Sequence, residues 1–444
     1  MDGGGSPTVT LAKRLVSDNK RPTREEDATL RAALPNLRSA VRKIESEFNE
    51  VDIALAILAP ETTPDPKLKA QFDALSKQLG AAQEVLAVHM QAITFARQIP
   101  VEVLQAIFLF ALPVSQFVKP SANTAPLLLC QICSPWRRVA LNLPQLWTSL
   151  SLRTDRGRRR WRDLIEMWLG RTAEAPLTMS FLAGSEGIGD VPYFNDHVVR
   201  MLRPSQKRWR QLQLEVPGST TTKLLNADLP LLETLELNTR GDWAGIYLSS
   251  ADAPRLRKVS VVGAKSNPAV VYVAYDQLAE LYVPDFAIKL DDVYQLLSKC
   301  KNLQRCSITL DPASTVTSRS HAYRPVSLPR LRDLSISVRM GAGASALASL
   351  FRELKTPALK ALELVNQEPN TAFRLGDESA LASFARESNL HKLTLVGGDP
   401  EEGLFSTVVV IPSLREVFVA EEPGAEKRTP ESVRETLWMR EDTE

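Results

Sequence analysis

The chain has 444 residues, 44% of them hydrophobic and 24% charged, with a net charge of +2. One hydrophobic core rarely serves more than about 250–300 residues, so several units or a repeat array are expected. The near-neutral balance gives no global sign of a nucleic-acid binder, and no apolar run reaches the roughly 20 residues a membrane helix needs. The opening MDGGGSPTVTLAKR lacks the apolar core of a signal peptide, and four cysteines in this length fit a reducing compartment. Cytoplasm or nucleus is the expected location.

Residues 1–25 are polar and basic, with Gly3, Gly4 and Gly5 together, and read as a disordered tail. A heptad-like seam follows. Leu30, Leu34, Leu37, Val41, Ile44, Phe48, Val51, Leu55 and Leu58 keep one apolar stripe on a helix. Pro35 is expected in the first turn of that helix, because its ring clashes with a preceding turn. The Pro-rich stretch 59–66 breaks the pattern. The seam resumes at Leu68, Phe72, Leu75, Leu79, Ala82, Leu86, His89, Ile93 and Ala96. Residues 26–97 therefore read as an antiparallel helical hairpin. It either closes on itself or dimerises as a coiled coil. His89, alone on the seam, reads as a packed residue rather than a ligand.

Residues 98–150 read as a small three-helix unit. In RQIPVEVLQAIFLFALP, Pro100 opens a helix, and Val103, Leu104, Ile107 and Phe108 make an apolar stripe. A second helix is expected from about Pro126 through Cys133, and a third from Pro135 through Leu143 with Trp136, Val139 and Ala140 on one side. The unit carries more apolar surface than it can hide alone, which points to a partner. Cys130 and Cys133 have the spacing of a zinc or redox pair. Structural zinc needs four ligands, and Cys300 and Cys306 lie far along the chain with no histidine pair beside them. Both cysteines of the pair are therefore expected to pack on one face of the second helix.

From residue 151 the chain repeats. The pattern apolar-x-x-apolar-x-apolar begins at Trp209, Leu232, Leu256, Leu278, Leu303, Leu331, Leu359, Leu390 and Leu414, nine copies spaced 22 to 31 residues apart. Trp147-Leu150-Leu152 and Leu177-Met179-Phe181 fit loosely. Proline stands two residues before five of the copies, at positions 230, 254, 329, 357 and 412, and marks the entry to each strand. Helical stretches lie between several copies, including DDVYQLLSKC with Asp291 as expected N-cap, ASALASLFREL and ESALASFARE. Short strand, turn and helix at this period make a leucine-rich-repeat solenoid over residues 151–425, with a cap or tail at 426–444. The Asn or Cys that regular repeats carry after the strand is missing, so the solenoid is expected to be irregular and its register loose.

Two further features are weighed. Six arginines within residues 153–162 form a solvated helix start or an anion contact. FLAGSEGIGD holds three glycines but neither a P-loop nor a nucleophile elbow, and reads as a loop. No catalytic constellation, cofactor motif or metal set is visible, so an enzyme is not expected.

IPVEVLQAIF followed by LLLCQICSPWRRVALNLPQLW resembles an F-box. The family pattern is Leu-Pro-x-Glu, two aliphatics, Ile-Phe, then a later valine or cysteine pair and Trp-Arg. Ile99, Pro100, Glu102, Val103, Leu104, Ile107 and Phe108 match the first block; Ile132, Cys133, Trp136, Arg137 and Val139 match the second. Ile99 replaces the usual Leu, and the gap from Leu109 to Ala125 is long. That gap, after a heptad-patterned hairpin, is similar to F-box proteins of mushroom-forming fungi. The resemblance implies docking on the Skp-type adaptor of a cullin–RING ubiquitin ligase through Ile99, Pro100, Val103, Leu104, Ile107, Phe108 and Trp136. The solenoid would then hold an unknown protein substrate. The alternative is an interaction scaffold that dimerises through the hairpin and has no ligase role. The expected architecture is thus α plus α/β: hairpin, three-helix F-box, irregular solenoid.

Overall fold

The computed structural model describes residues 6–18, 20–58, 66–94, 99–153, 160–182, 199–216, 218–238, 246–263, 271–311, 325–338, 340–368, 377–397, 404 and 411–420. Most of the arginine cluster (154–159), the glycine segment (183–192) and the C-terminal stretch 426–444 lie outside them. The chain forms two compact units. The first comprises residues 1–113 and 121–146, the second 114–120 and 147–444.

The first unit is helical. Helix α1 (Pro7–Ser17) lies where a disordered tail was expected. Ala12 and Leu15 are buried against Leu30, Ala92 and Ile93, with Leu11 and Val16 packed beside them. Those apolar residues sit one helical turn apart inside a basic segment, so the mean composition hid them. An ion pair of 2.7 Å from Arg14 to Glu26 holds α1 to the start of α2 (Arg24–Leu58). That start is a capping box: Thr23 N–H donates to Glu26 Oε2 at 2.8 Å, and Glu26 N–H donates to Thr23 Oγ1 at 3.2 Å. Pro35 therefore falls inside α2 rather than in its first turn. It sits on the exposed side, as does Arg31, whose carbonyl loses its helical donor there and faces water.

Helix α3 (Pro66–Ala92) runs back along α2. The direction follows from its pairings: Phe48 meets Phe72 at 4.8 Å, whereas Gln83 donates to the earlier Glu45 at 3.1 Å. Val41, Val51, Leu75 and His89 on the seams are buried. The apolar stripe of each helix is thus partly covered by its neighbour within one chain, while Leu37, Ile44, Phe48, Phe72, Leu79 and Leu86 stay half-buried. His89 is fully buried; its Nδ1 lies 2.9 Å from the Val85 carbonyl, which can only accept, so Nδ1 carries the proton.

Three short helices complete this unit: α4 (Val101–Phe110), α5 (Leu129–Ile132) and α6 (Ser134–Leu141). The second of them is shorter than the sequence pattern suggested. Cys133 is extended, at φ −161°, and serves as the N-cap position of α6. Pro135 in the first turn of α6 fits this break, because it has no N–H for the Gln131 carbonyl and its ring would clash there in a continuous helix. Cys130 and Cys133 are both half-exposed, so the expected pair of small core packers on one helix face does not form.

The second unit is built on an 11-stranded sheet whose strands follow one another in sequence order, all parallel. The strands are β1 (Ser149–Arg153), β2 (Leu177–Leu182), β3 (Trp209–Glu215), β4 (Thr234–Asn238), β5 (Lys258–Val262) and β6 (Glu280–Ile288). They continue as β7 (Arg305–Leu310), β8 (Asp333–Val338), β9 (Ala361–Asn366), β10 (Lys392–Val396) and β11 (Glu416–Ala420). Register is fixed to the residue. Leu150, Met179, Leu212, Leu235, Val259, Leu281, Cys306, Leu334, Leu362, Leu393 and Val417 stack across the sheet, and none is more than 3% exposed. The two segments that fitted the repeat loosely are thus its first two strands. Each such side chain contributes about 1.5–3 kcal/mol by leaving water.

A second ladder sits just before the strands. The N–H one residue past the first apolar position donates to the equivalent carbonyl of the previous repeat. This runs from Glu233 to Arg210 at 2.8 Å through Arg332 to Gln304 at 2.8 Å and Arg415 to His391 at 2.8 Å. The five prolines have a sharper role than marking strand entry. Each occupies the second position of a four-residue turn closed by an N–H to C=O bond, as in Leu232 to Leu229 at 3.0 Å and Leu331 to Leu328 at 3.2 Å. Proline presets the backbone angle that this position needs.

The returns between strands vary, as the missing Asn predicted. Helices α7 (Arg160–Leu169), α8 (Gly218–Leu225), α9 (Leu290–Lys299), α10 (Met340–Glu353) and α11 (Glu378–Glu387) fill some of them. Two short parallel pairs fill others, Ile246–Leu248 with Val271–Val273 and Val326–Ser327 with Leu354–Lys355. Helix α9 begins at Leu290, so Lys289 is its N-cap and Asp291 lies in its first turn, not at the cap. Strand β6 bulges between Val283 and Ala287. The open edge of β1 is covered by the segment before it, where Ser151 N–H donates to Val118 O at 2.7 Å. Trp168 in α7 donates from Nε1 to the Trp147 carbonyl at 2.8 Å and meets that ring edge-on at 4.9 Å.

Candidate functional site

Two surfaces carry the features a partner could use. The first is the α4–α6 segment. Leu104 is 5% exposed and Phe108 fully buried; the Phe108 ring packs on Trp136 at 5.1 Å. Arg137 donates from Nε to the Cys130 carbonyl at 2.6 Å, tying α5 to α6. Leu104, Phe108 and, in large part, Trp136 are therefore the internal packing of this segment. The assignment of Leu104 and Phe108 as direct docking residues is corrected: side chains with almost no exposed surface cannot touch a partner without unpacking, whereas Trp136 is only half-buried.

The other expected docking residues are open to solvent. Pro100 is exposed and Ile99 half-buried. Val103 is 47% exposed, Ile107 41% and Phe110 92%. Positions 103, 107 and 110 share one side of α4. Leu128 and Ile132 on the following helical turns are exposed as well. Helix α4 is thus apolar on both sides, with only one side used by its own unit. Phe110 was missed at the sequence level. Its signal was the same helical spacing, continued one step beyond the motif.

The second surface is the solvent face of the sheet. Residues alternating with the buried stack form rows across the strands. One row reads Lys258, Glu280, Arg305, Asp333, Ala361, Lys392, Glu416 in register. Arg305 is ion-paired with Glu280, and Lys392 with Glu416 at 3.3 Å; the Lys392 ammonium also lies 4.7 Å from the centre of the Phe418 ring. Ser335 donates to Glu363 at 3.0 Å. Burial pushes the Tyr282 phenol up, with the Glu280 carboxylate adding to the rise, and the hydrogen bond from Arg305 to Glu280 raises the guanidinium. Where Ala361 interrupts the charged row, a depression of about 210 Å³ opens.

The remaining titratable candidates are structural. Cys300 and Cys306 are buried. Burial pushes the Cys300 thiol to about 12 and raises Cys306 as well, so neither is a nucleophile near neutral pH. Among the described residues no group of His, Cys, Asp and Glu could hold a metal ion, and no helix is long and apolar enough to cross a membrane.

No protein-family model matches the sequence, and no curated protein does. A crystal structure of a protein from Bacteroides fragilis is similar over 63% of this chain and 76% of its own, at 12% identity and a TM-score of 0.36. Likeness at that level carries no argument about function.

Proposed function

We propose that the chain is a substrate-receptor subunit of a cullin–RING ubiquitin ligase. An F-box at residues 98–150 docks on a Skp-type adaptor and thereby on the cullin scaffold. A leucine-rich-repeat solenoid holds a protein target in the cytoplasm or nucleus. The chemistry belongs to the other subunits; this chain supplies proximity. The observation that carries the reading is the exposed apolar side of α4, Val103, Ile107 and Phe110, inside the sequence block that resembles an F-box. An unpartnered apolar stripe on a short helix is what an obligate docking module leaves when drawn alone.

The alternative scaffold, dimerising through the hairpin, finds less support. The α2 and α3 seams face each other within one chain, with Val41, Val51 and Leu75 buried, so the hairpin forms without a second copy. Co-purification with a Skp-type adaptor tests the reading. Wild type is expected to form a complex that Val103→Glu with Ile107→Glu abolishes. Absence of a complex, together with a stable homodimer, would favour the scaffold. Leu104→Ala is a poor probe, because that side chain is buried and its loss unfolds rather than undocks.

A further inference from the structure

We propose that the depression over Ala361 is a recognition site for an arginine side chain presented by a protein partner. The inference rests on the reading that this face of the sheet receives a protein target, and it names the chemistry of one contact. The first observation is steric. In a row that is otherwise charged from Lys258 to Glu416, Ala361 is the one small residue, and the depression of about 210 Å³ lies over it. The second is electrostatic. Both cations bordering the depression are drawn outward: Arg305 to Glu280 on the far strand to one side, Lys392 to Glu416 and Phe418 on the other. The carboxylates of Asp333 and Glu363 stay at the rim. Asp333 has no ion-pair or hydrogen-bond partner for its carboxylate among the described residues. Two carboxylates, Asp333 and Glu363, and two cations, Arg305 and Lys392, line the depression, and each cation is paired with a carboxylate outside the lining, Glu280 or Glu416.

The third observation is independent of charge. Thr394 lines the depression and is 3% exposed, yet its hydroxyl has no hydrogen-bond partner among the described residues. It alternates with the buried Leu393 and Leu395, so it faces the depression. The hydroxyl opens into the depression, where its oxygen can accept a hydrogen bond from an occupant or from water. Together these groups suit one occupant. A guanidinium has a flat apolar face for the Ala361 methyl and several donors in a fork. Asp333 and Glu363 are diagonal neighbours on adjacent strands, a spacing of about 7–8 Å between positions, which a fork lying between them can bridge and a point charge cannot. A remaining donor can meet the Thr394 oxygen.

The test uses the full chain labelled with 13C at alanine methyls, with the Ala361 signal assigned by its loss in Ala361→Val. N-acetyl-arginine amide is titrated against it. A saturable shift at Ala361 is expected. The uncharged isostere, N-acetyl-citrulline amide, and the variant Asp333→Asn should each weaken binding about tenfold, the loss of one charged hydrogen bond. Unmoved signals from the other alanines certify that Asp333→Asn folds. Absence of a shift overturns the inference. So does citrulline binding as well as arginine, or a shift at Ala361 caused by inorganic phosphate and not by arginine. The titration contains no adaptor. Failure here with adaptor binding intact removes only the arginine site; success here without adaptor binding removes only the ligase role.

Discussion

Two phenylalanines two residues apart on α4 should behave in opposite ways. Phe108 has no exposed surface, and its ring meets Trp136 at a centroid distance of 5.1 Å with an interplanar angle of 56°. Phe108→Ala removes a buried ring and leaves a cavity, which costs about 3–5 kcal/mol. The ring–ring contact accounts for about 0.5–1.5 kcal/mol of that. Phe110 is 92% exposed, so Phe110→Ala should change stability by no more than about 0.5 kcal/mol. Hydrogen exchange of the α4 amides reads both effects locally, without assuming that the two units unfold together. Phe108→Ala should strip α4 of protection; Phe110→Ala should leave protection as in wild type and act on partner binding alone. Equal loss in the two variants would refute the assignment of one side of α4 to the core and the other to a partner.

Three further outcomes are expected. Trp168→Phe keeps a ring beside Trp147 but leaves its carbonyl without the Nε1 donor; a stability loss of about 1–3 kcal/mol should appear as a lower Tm. Gly397 has φ +91° and a site where an added Cβ would collide with the Asn366 carbonyl, while its N–H holds Ala420 at 2.9 Å; Gly397→Ala should cost about 1–3 kcal/mol, and an unchanged Tm would contradict the register of β10 and β11. Asp377 caps α11, with Ser379 and then Arg352 holding its carboxyl below the usual carboxylate range. A lowered folded pKa stabilises above the unfolded value of about 3.9 and is lost as pH falls through the folded one. Wild type should therefore lose Tm more steeply than Asp377→Asn as pH falls below about 4, and parallel curves would show the cap to be idle.

The strand register was legible because each repeat writes it twice, in the first apolar residue and in the pair that follows. Met179 and Phe181 take places in successive buried rows, beside Leu212 and Leu214, but Leu177 stands two residues before Met179 and not three, so that segment matched only loosely. The returns were not legible. They lack a shared motif, and short pairs such as Ile246–Leu248 with Val271–Val273 depend on neighbours far along the chain. Helix α1 was hidden because averaging over a basic segment erases four apolar residues in phase. The capping box Thr23–Glu26 was present in the letters and would have moved the start of α2 upstream of Pro35. On α4, periodicity revealed an apolar helix but could not say which side meets its own unit, because both sides are apolar. That choice depends on Trp136, which arrives 28 residues after Phe108. The depression over Ala361 was latent in the aligned repeats, where one column holds Glu280, Arg305, Asp333, Ala361, Lys392 and Glu416. Reading that column for charge, and not only the leucines for pattern, would have found it.

The central claim is adaptor docking through the outward side of α4. It is tested most directly by mixing the full chain with a Skp-type adaptor and measuring the mass of the complex in solution. The account predicts a one-to-one complex for wild type and free components for Val103→Glu with Ile107→Glu, whose α4 amides remain protected. No complex with wild type, or a complex that survives both substitutions, would contradict it.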